Sequence, residues 1–215
     1  MESLLLHICC GPCSIVPLRL LSEKGDRFAA CFYNPNITSR KEHDLRAETF
    51  RSFAVSLGLE LVLPPYEIEE WSAAIAPFAG VFPLIAGSTE YDENSVRREQ
   101  RCRICYRLRF ERLASEAQVR GYESISTTLS ISPYQFTDCI EEELTGAALS
   151  HSVVPAFVDY RPYYPESIER SCGLGMYRQN FCGCRYSKEE ADMERLARKS
   201  HKKLQLEMVQ DATHG

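Results

Sequence analysis

The chain opens on an apolar run, Leu4-Leu5-Leu6-His7-Ile8, interrupted only by His7 and ended by Cys9-Cys10-Gly11-Pro12-Cys13-Ser14. A run of this length before a Gly-Pro turn predicts a strand buried on both faces, as in a parallel sheet. The following Ser-Ile-Val-Pro-Leu-Arg-Leu-Leu predicts a helix. The alternation then repeats. A strand over 27–33 ends at Asn34-Pro35-Asn36, and a helix over about 40–57 is capped by Gly58. A third strand over 59–63 is stopped by Pro64-Pro65. Residues 67–79 read as a helix with Trp71, Ile75 and Phe78 on one side, Trp71 being a core anchor, and 80–95 as a mixed connection. A long helix over 96–120, a strand over 124–129, a helix from Ser132-Pro133 to about 149 and a strand over 153–158 follow. A Pro/Tyr-rich connection over 159–165, a short helix, the Cys182-Gly183-Cys184 turn and a basic helix over 188–203 complete the pattern. This order predicts an α/β fold, a parallel sheet flanked by helices, as one domain over 1–203, with 204–215 as a flexible tail.

At 215 residues the chain is long enough to bury a core without covalent staples, so its ten cysteines need another explanation. No stretch reads as a signal peptide or membrane span, so a cytoplasmic location with no membrane partner is expected. There, clustered cysteines serve as metal ligands or redox groups more often than as disulfides. The net charge of −5 argues against a general nucleic-acid coat protein, yet it hides an asymmetry. Residues 97–112 hold seven arginines against two glutamates, a local +5 that leaves −10 for the rest. A second basic cluster lies at Arg195, Arg198, Lys199, Lys202 and Lys203. Charge alone reads these as solvated helix faces.

The thiols fall into tight groups. Cys9, Cys10 and Cys13 sit where a strand meets a helix N-terminus, Cys102 and Cys105 share one helix face, and Cys182 and Cys184 flank a glycine. Seven thiols exceed the four ligands of one zinc, whereas an iron–sulfur cluster takes about four and leaves others for a second metal. Disulfides within Cys9-Cys10 or Cys182-Gly-Cys184 would close rings too tight for relaxed geometry. Cys31 and Cys139 lie in apolar settings and read as core; Cys172 has no partner at ligand spacing. Cys10-Gly-Pro-Cys13 also reproduces the thioredoxin active-site tetrapeptide, so a thiol–disulfide oxidoreductase using Cys10 and Cys13 is a rival reading, but it leaves the other thiols unused.

Five segments together carry a specific resemblance: His7-Ile-Cys9-Cys10-Gly-Pro-Cys13-Ser, Phe32-Tyr-Asn-Pro-Asn-Ile37, Cys102-Arg-Ile-Cys105-Tyr-Arg-Leu-Arg109, Thr127-Thr-Leu-Ser-Ile-Ser-Pro-Tyr134 and Tyr177-Arg-Gln-Asn-Phe-Cys-Gly-Cys-Arg-Tyr-Ser187. In this order they resemble the QueH-type epoxyqueuosine reductases. The resemblance implies a Rossmann-like, HUP-type sheet with helical additions. It also implies reduction of epoxyqueuosine to queuosine at the tRNA wobble position, the last step of queuosine biosynthesis, with a [4Fe–4S] cluster and a second, mononuclear iron. Carried over by motif, Cys9, Cys10, Cys102 and Cys105 are the cluster ligands, and Cys182 and Cys184, with Cys13, are left for the second metal. The implied partners are the tRNA anticodon loop and an external electron donor such as a ferredoxin or flavodoxin, and on that account the basic helix over 97–112 grips RNA. Candidate proton sources are His7, Tyr106, Asp138, Tyr134 and Tyr177, each in or beside a motif. A zinc-bearing tRNA-binding module without catalysis is the remaining alternative.

Overall fold

The structure is a computed structural model that describes residues 3–84 and 91–213, with side chains through Lys202 in the last helix. Five parallel strands, β1 (Ser3–His7), β2 (Arg27–Cys31), β3 (Leu61–Val62), β4 (Ser124–Thr127) and β5 (Val154–Pro155), form one sheet in the order β3-β2-β1-β4-β5. The strand order reverses beside β1, whose neighbours are β2 and β4. In such sheets the crevice beyond the carboxyl ends at the reversal is the ligand-binding position.

The apolar run of β1 is explained by its two faces. Leu5 packs with Ile125 of β4 and with Phe110, Leu113, Ile140 and Leu144, which belong to α4 (Glu93–Arg120) and α5 (Thr137–Ser150). Leu4 and Leu6 point the other way, against Leu18 and Leu21 of α1 (Gly11–Lys24) and Phe50 and Ala54 of α2 (Arg40–Ser56). Alternate side chains thus enter separate cores, and from Leu4 to His7 the strand is buried on both faces. Trp71 and Ile75 of α3 (Ile68–Ile75) pack with Cys105, Cys184 and Tyr186, so the expected core anchor lies against two of the site thiols.

Several boundaries differ from the pattern-based reading. The strand expected to 129 ends at Thr127 because Leu129–Ile131 turns into a 3₁₀ segment. The following helix begins at Thr137 rather than at Ser132-Pro133, since residues 132–136 make the turn that faces the site. The strand expected over 153–158 is reduced to Val154–Pro155, where Pro155 brings no N–H to the ladder. The Pro/Tyr-rich connection contains a 3₁₀ turn and leads into α6 (Tyr164–Gly173). Residues 85–90 of the expected connection over 80–95 lie outside the described residues. The final helix, α7 (Arg185–Thr213), runs through most of the stretch read as a tail, in which Leu, Gln, Glu and Met are good helix formers.

Candidate metal and substrate site

Three chain segments meet at the carboxyl edge of β1 and β4. Cys9, Cys10 and Cys13 come from the β1–α1 junction, and their sulfur atoms lie within 4.8 Å of one another. The Cys9 amide donates to Thr128 Oγ1 at 3.1 Å, and the same hydroxyl lies 3.4 Å from Cys9 Sγ, which ties the thiols to the end of β4 across the strand-order reversal. Cys9 is the acidic member of this group: the Cys10 and Cys13 thiols and the Thr128 hydroxyl donate toward it, and the Arg109 cation stands nearby. Burial holds Cys10 protonated, and hydrogen bonding to its two neighbours does the same for Cys13.

The second segment is one face of α4, with Cys102 and Cys105; the third is the loop carrying Cys182 and Cys184. These four thiols line one narrow cleft with Trp71 and Tyr106. Gly183 makes the tight loop possible. Its φ of +125° is a left-handed conformation, and a Cβ there would come within 2.8 Å of Ile37 Cγ1. Arg46, buried beneath the loop, donates to the carbonyls of Cys182 at 2.9 Å and Phe181 at 3.3 Å and pairs with Glu42 at 2.7 Å. Tyr177 donates to the same Glu42 carboxylate, closing the support.

Beside the cleft lies a larger cavity of about 400 Å³, bordered by Cys9, Cys13 and Cys182. Arg98, Tyr134, Gln135, Cys182 and Ser187 belong to both walls, so the two spaces are adjacent and share a side-chain partition. The larger cavity has six arginines in its lining (46, 98, 109, 178, 195 and 198) against one acid, Glu194. Three of the six, Arg46, Arg98 and Arg195, are ion-paired, which leaves Arg109, Arg178 and Arg198 to favour an anion.

The thiols therefore sort by contact into Cys9, Cys10 and Cys13 on one side and Cys102, Cys105, Cys182 and Cys184 on the other, with Cys182 bordering both spaces. Burial pushes the thiols of Cys102, Cys105, Cys182 and Cys184 up. Arg109 opposes this at Cys105 and Cys182 and also bears on Cys9. Its guanidinium is 1 % exposed and donates to Asn34 Oδ1 at 2.6 Å, while Nε and one terminal nitrogen have no partner. The indole N–H of buried Trp71 likewise has no close partner among the described residues, and it is directed, as Arg109 is, toward the Cys105 thiol. An array of soft thiol donors, a fixed cation between its parts and spare buried N–H donors fits a negatively charged iron–sulfur centre.

The proton-source candidates separate clearly. His7 is a core residue: Nδ1 meets Thr127 Oγ1 at 3.0 Å, Nε2 meets the Tyr33 carbonyl at 3.2 Å, and Phe110 packs edge-on at 5.8 Å. Burial and Arg109 lower its pKa to about 3, so it stays neutral. Asp138 is exposed in the first turn of α5 and borders neither space, which corrects its assignment to the site; an acid at that helix position complements the dipole instead. Tyr106 is buried on the cleft wall and donates to Gln135 Oε1 at 2.8 Å. Tyr134 stands at the cavity wall, and Tyr177 is occupied with Glu42. Cys31 and Cys139 are in the core, and Cys172 is exposed.

The basic stretch 97–112 is also corrected. Arg97 pairs with Glu93, Arg98 with Glu190 and Glu194, and Arg101 with Glu190. Arg103 pairs with Glu99, Glu142 and Glu143, Arg107 with Glu143, and Arg112 with Glu67 and Glu116. With Arg109 buried, the helix presents no patch of free cations. Arg46 and Gln135 are cavity residues that no quoted motif contains, and Arg109 and Gln179 lie within motifs that give them no role of their own.

A family model described as "Epoxyqueuosine reductase QueH" matches residues 4–190. An epoxyqueuosine reductase QueH from Dehalococcoides mccartyi is 33 % identical over 188 residues, covering 87 % of this chain and 93 % of that one. The protein of the same name from Thermotoga maritima is 32 % identical over 192 residues, covering 87 % and 91 %. Among solved structures, the U34-tRNA thiolase NcsA from Methanococcus maripaludis with its [4Fe-4S] cluster is similar at a TM-score of 0.47 and 14 % identity, over 93 % of this chain and 67 % of that chain, a likeness too loose to carry an argument.

Proposed function

The chain belongs to the epoxyqueuosine reductase QueH family, and we infer that it reduces epoxyqueuosine to queuosine in the thiol-lined cavity at the carboxyl edge of β1 and β4. It is an oxidoreductase of queuosine biosynthesis. The observation that carries this reading is the adjacency of two spaces: a 400 Å³ cavity rich in arginine, itself bordered by Cys9, Cys13 and Cys182, shares a wall with a cleft lined by four thiols. The first is of a size to take a splayed nucleotide, and the second brings redox ligands to its floor.

Conversion of the epoxide to an alkene takes up two electrons and two protons and releases water. A [4Fe–4S] cluster with a second iron, fed by an external ferredoxin- or flavodoxin-like donor, would supply the electrons and a Lewis-acid centre. Cys9 and Cys10 with Cys102 and Cys105 would hold the cluster, and Cys13, Cys182 and Cys184 the second iron. Arg109 holds positive charge against all three thiol groups. Tyr106 keeps its proton, because burial disfavours the phenolate, and Gln135 fixes its hydroxyl at the shared wall. The substrate is the modified nucleotide in the tRNA anticodon loop, and the expected location is the cytoplasm.

A second partition is favoured by the cleft lining, which groups Cys182 and Cys184 with Cys102 and Cys105. The variants Cys9→Ser and Cys184→Ser separate the two. On the first partition, anaerobically purified Cys9→Ser lacks the broad visible absorption and acid-labile sulfide of a cluster while Cys184→Ser keeps them; on the second the results exchange. Activity is tested by nucleoside analysis of tRNA carrying epoxyqueuosine after incubation with the protein and a reductant. Unchanged epoxyqueuosine refutes the reading, and stoichiometric zinc without sulfide refutes the cluster. Nothing in the site favours a dithiol mechanism confined to Cys10 and Cys13.

A further inference from the structure

We propose that Arg198, Lys202 and Arg178 form a phosphate-binding rim that holds the single-stranded RNA flanking the reacting nucleotide over the larger cavity. The inference rests on the cavity being the nucleotide site, and it moves RNA binding from α4, where the family resemblance suggests it, to α7.

The first support is helical geometry. Ser187, Ala191, Glu194, Arg195 and Arg198 all line the larger cavity, and their spacing of three and four residues defines one face of α7. Lys202 is the next residue on that face, four beyond Arg198. This face therefore leaves the cavity as a ladder of cations pointing outward. Both Arg198 and Lys202 are exposed.

The second support is the state of the charges. Among the arginines of the cavity lining, Arg46 is committed to Glu42, Arg98 to Glu190 and Glu194, Arg109 to Asn34, and Arg195 to Asp192. Arg198 and Lys202 have no ion pair among the described residues. Arg178, also in the cavity lining, donates to the Cys172 sulfur at 2.9 Å and has no ion pair among the described residues. The exposed cations Arg198 and Lys202 are thus without a protein counter-ion among the described residues, while Arg46, Arg98 and Arg195 are compensated by protein acids and Arg109 is buried among the thiols.

The third support selects RNA over an acidic protein. Tyr134 is 67 % exposed at the cavity wall and packs edge-to-face on Tyr164 at 6.2 Å. Exposed aromatic faces beside unpaired cations are the combination that binds single-stranded nucleic acid, with bases stacking and phosphates paired. A strand whose one nucleotide enters the cavity must run past both features.

The test is binding of a labelled anticodon stem–loop RNA to the full chain, purified without oxygen, followed by fluorescence anisotropy over a range of salt. Arg198→Glu with Lys202→Glu is compared with the unaltered protein and with Arg27→Glu, the same charge reversal on the opposite edge of the sheet. The double variant should bind about tenfold or more weakly, and its log K against log salt should flatten by roughly 0.7 for each phosphate that the rim no longer neutralises. Arg27→Glu should bind normally. Circular dichroism and unchanged iron content show that the double variant is folded. Binding within twofold of the unaltered protein at an unchanged salt slope overturns the rim; if that variant instead loses turnover only with a protein reductant, the rim belongs to an acidic donor. Failure of the unaltered protein to bind RNA overturns the rim and the nucleotide-site reading together.

Discussion

Neutralising Glu190 is a severe test of how the thiol walls are held. Its carboxylate is fully buried and accepts from Arg101 at 2.7 and 3.0 Å and from the Phe82 amide at 3.0 Å, with Arg98 at 3.4 Å. Arg101 is 2 % exposed, lies over the Tyr186 ring at 5.0 Å and donates to the Gly80 carbonyl. This pair joins α7 to α4 directly behind Cys102 and Cys184. Glu190→Gln keeps the shape and the Phe82 contact but leaves Arg101 a buried cation without a counter-ion; Arg98 retains Glu194 at 2.6 Å. Breaking a buried pair from one side costs about 3–5 kcal/mol. For a chain of this size each kcal/mol moves Tm by about 2–4 °C, so the expected loss is on the order of 6–20 °C. Thermal unfolding followed by circular dichroism measures it. Replacing both partners, Arg101→Met with Glu190→Leu, should recover most of the loss, because removing both charges removes the desolvation cost as well. A single variant within about 2 °C of the parent, or a double variant no better than the single, would refute the reasoning.

Two further outcomes follow from buried groups. Arg109→Met removes the cation facing three thiol groups and should lower iron and sulfide retention about tenfold, the lower end of the scale for outer-shell partners of metal ligands, while Arg109→Lys restores part of it; equal metal content in Met and Lys variants counts against the charge argument. His7 has a folded pKa of about 3 against 6.5 when unfolded. Above pH 6.5 neither state is protonated at this ring. Below it the unfolded chain takes up a proton that the folded chain refuses, so stability falls by about 1.4 kcal/mol per pH unit down to about pH 3. Urea unfolding at pH 7 and pH 5 should show a shallower pH dependence for His7→Gln, and equal slopes would show that the ring titrates freely.

The sheet was legible because β1 is apolar at consecutive positions, a pattern that only burial on two faces explains. The ends of elements were less so: whether Ser132-Pro133 opens a helix or a turn depends on Tyr134 and Gln135 being directed at the cavity, which is a tertiary demand. The thiols were legible as groups but not as neighbours, since nothing in local spacing brings Cys182 beside Cys105. The basic stretch of α4 misled for the same reason. Its +5 is a local count, and the acids that neutralise it, Glu67, Glu142, Glu143, Glu190 and Glu194, lie far along the chain. Conversely, the basic cluster of α7 is visible in the sequence, but that Arg198 continues a cavity-lining face while Arg195 is paired with Asp192 is not.

Cys10 occupies the N-cap of α1 with extended backbone, φ −170° and ψ 166°, and no side-chain hydrogen bond closes the helix end. At this position Ser, Asp or Asn would contribute about 1 kcal/mol more to stability. The chain has at this position a residue that caps poorly but places a thiol within 4.8 Å of those of Cys9 and Cys13, so on the proposed function the start of α1 is a point of conflict between robustness and activity. Selection for thermal tolerance alone would be expected to erode this position first, yielding a sturdier protein with one thiol fewer at the centre of its chemistry.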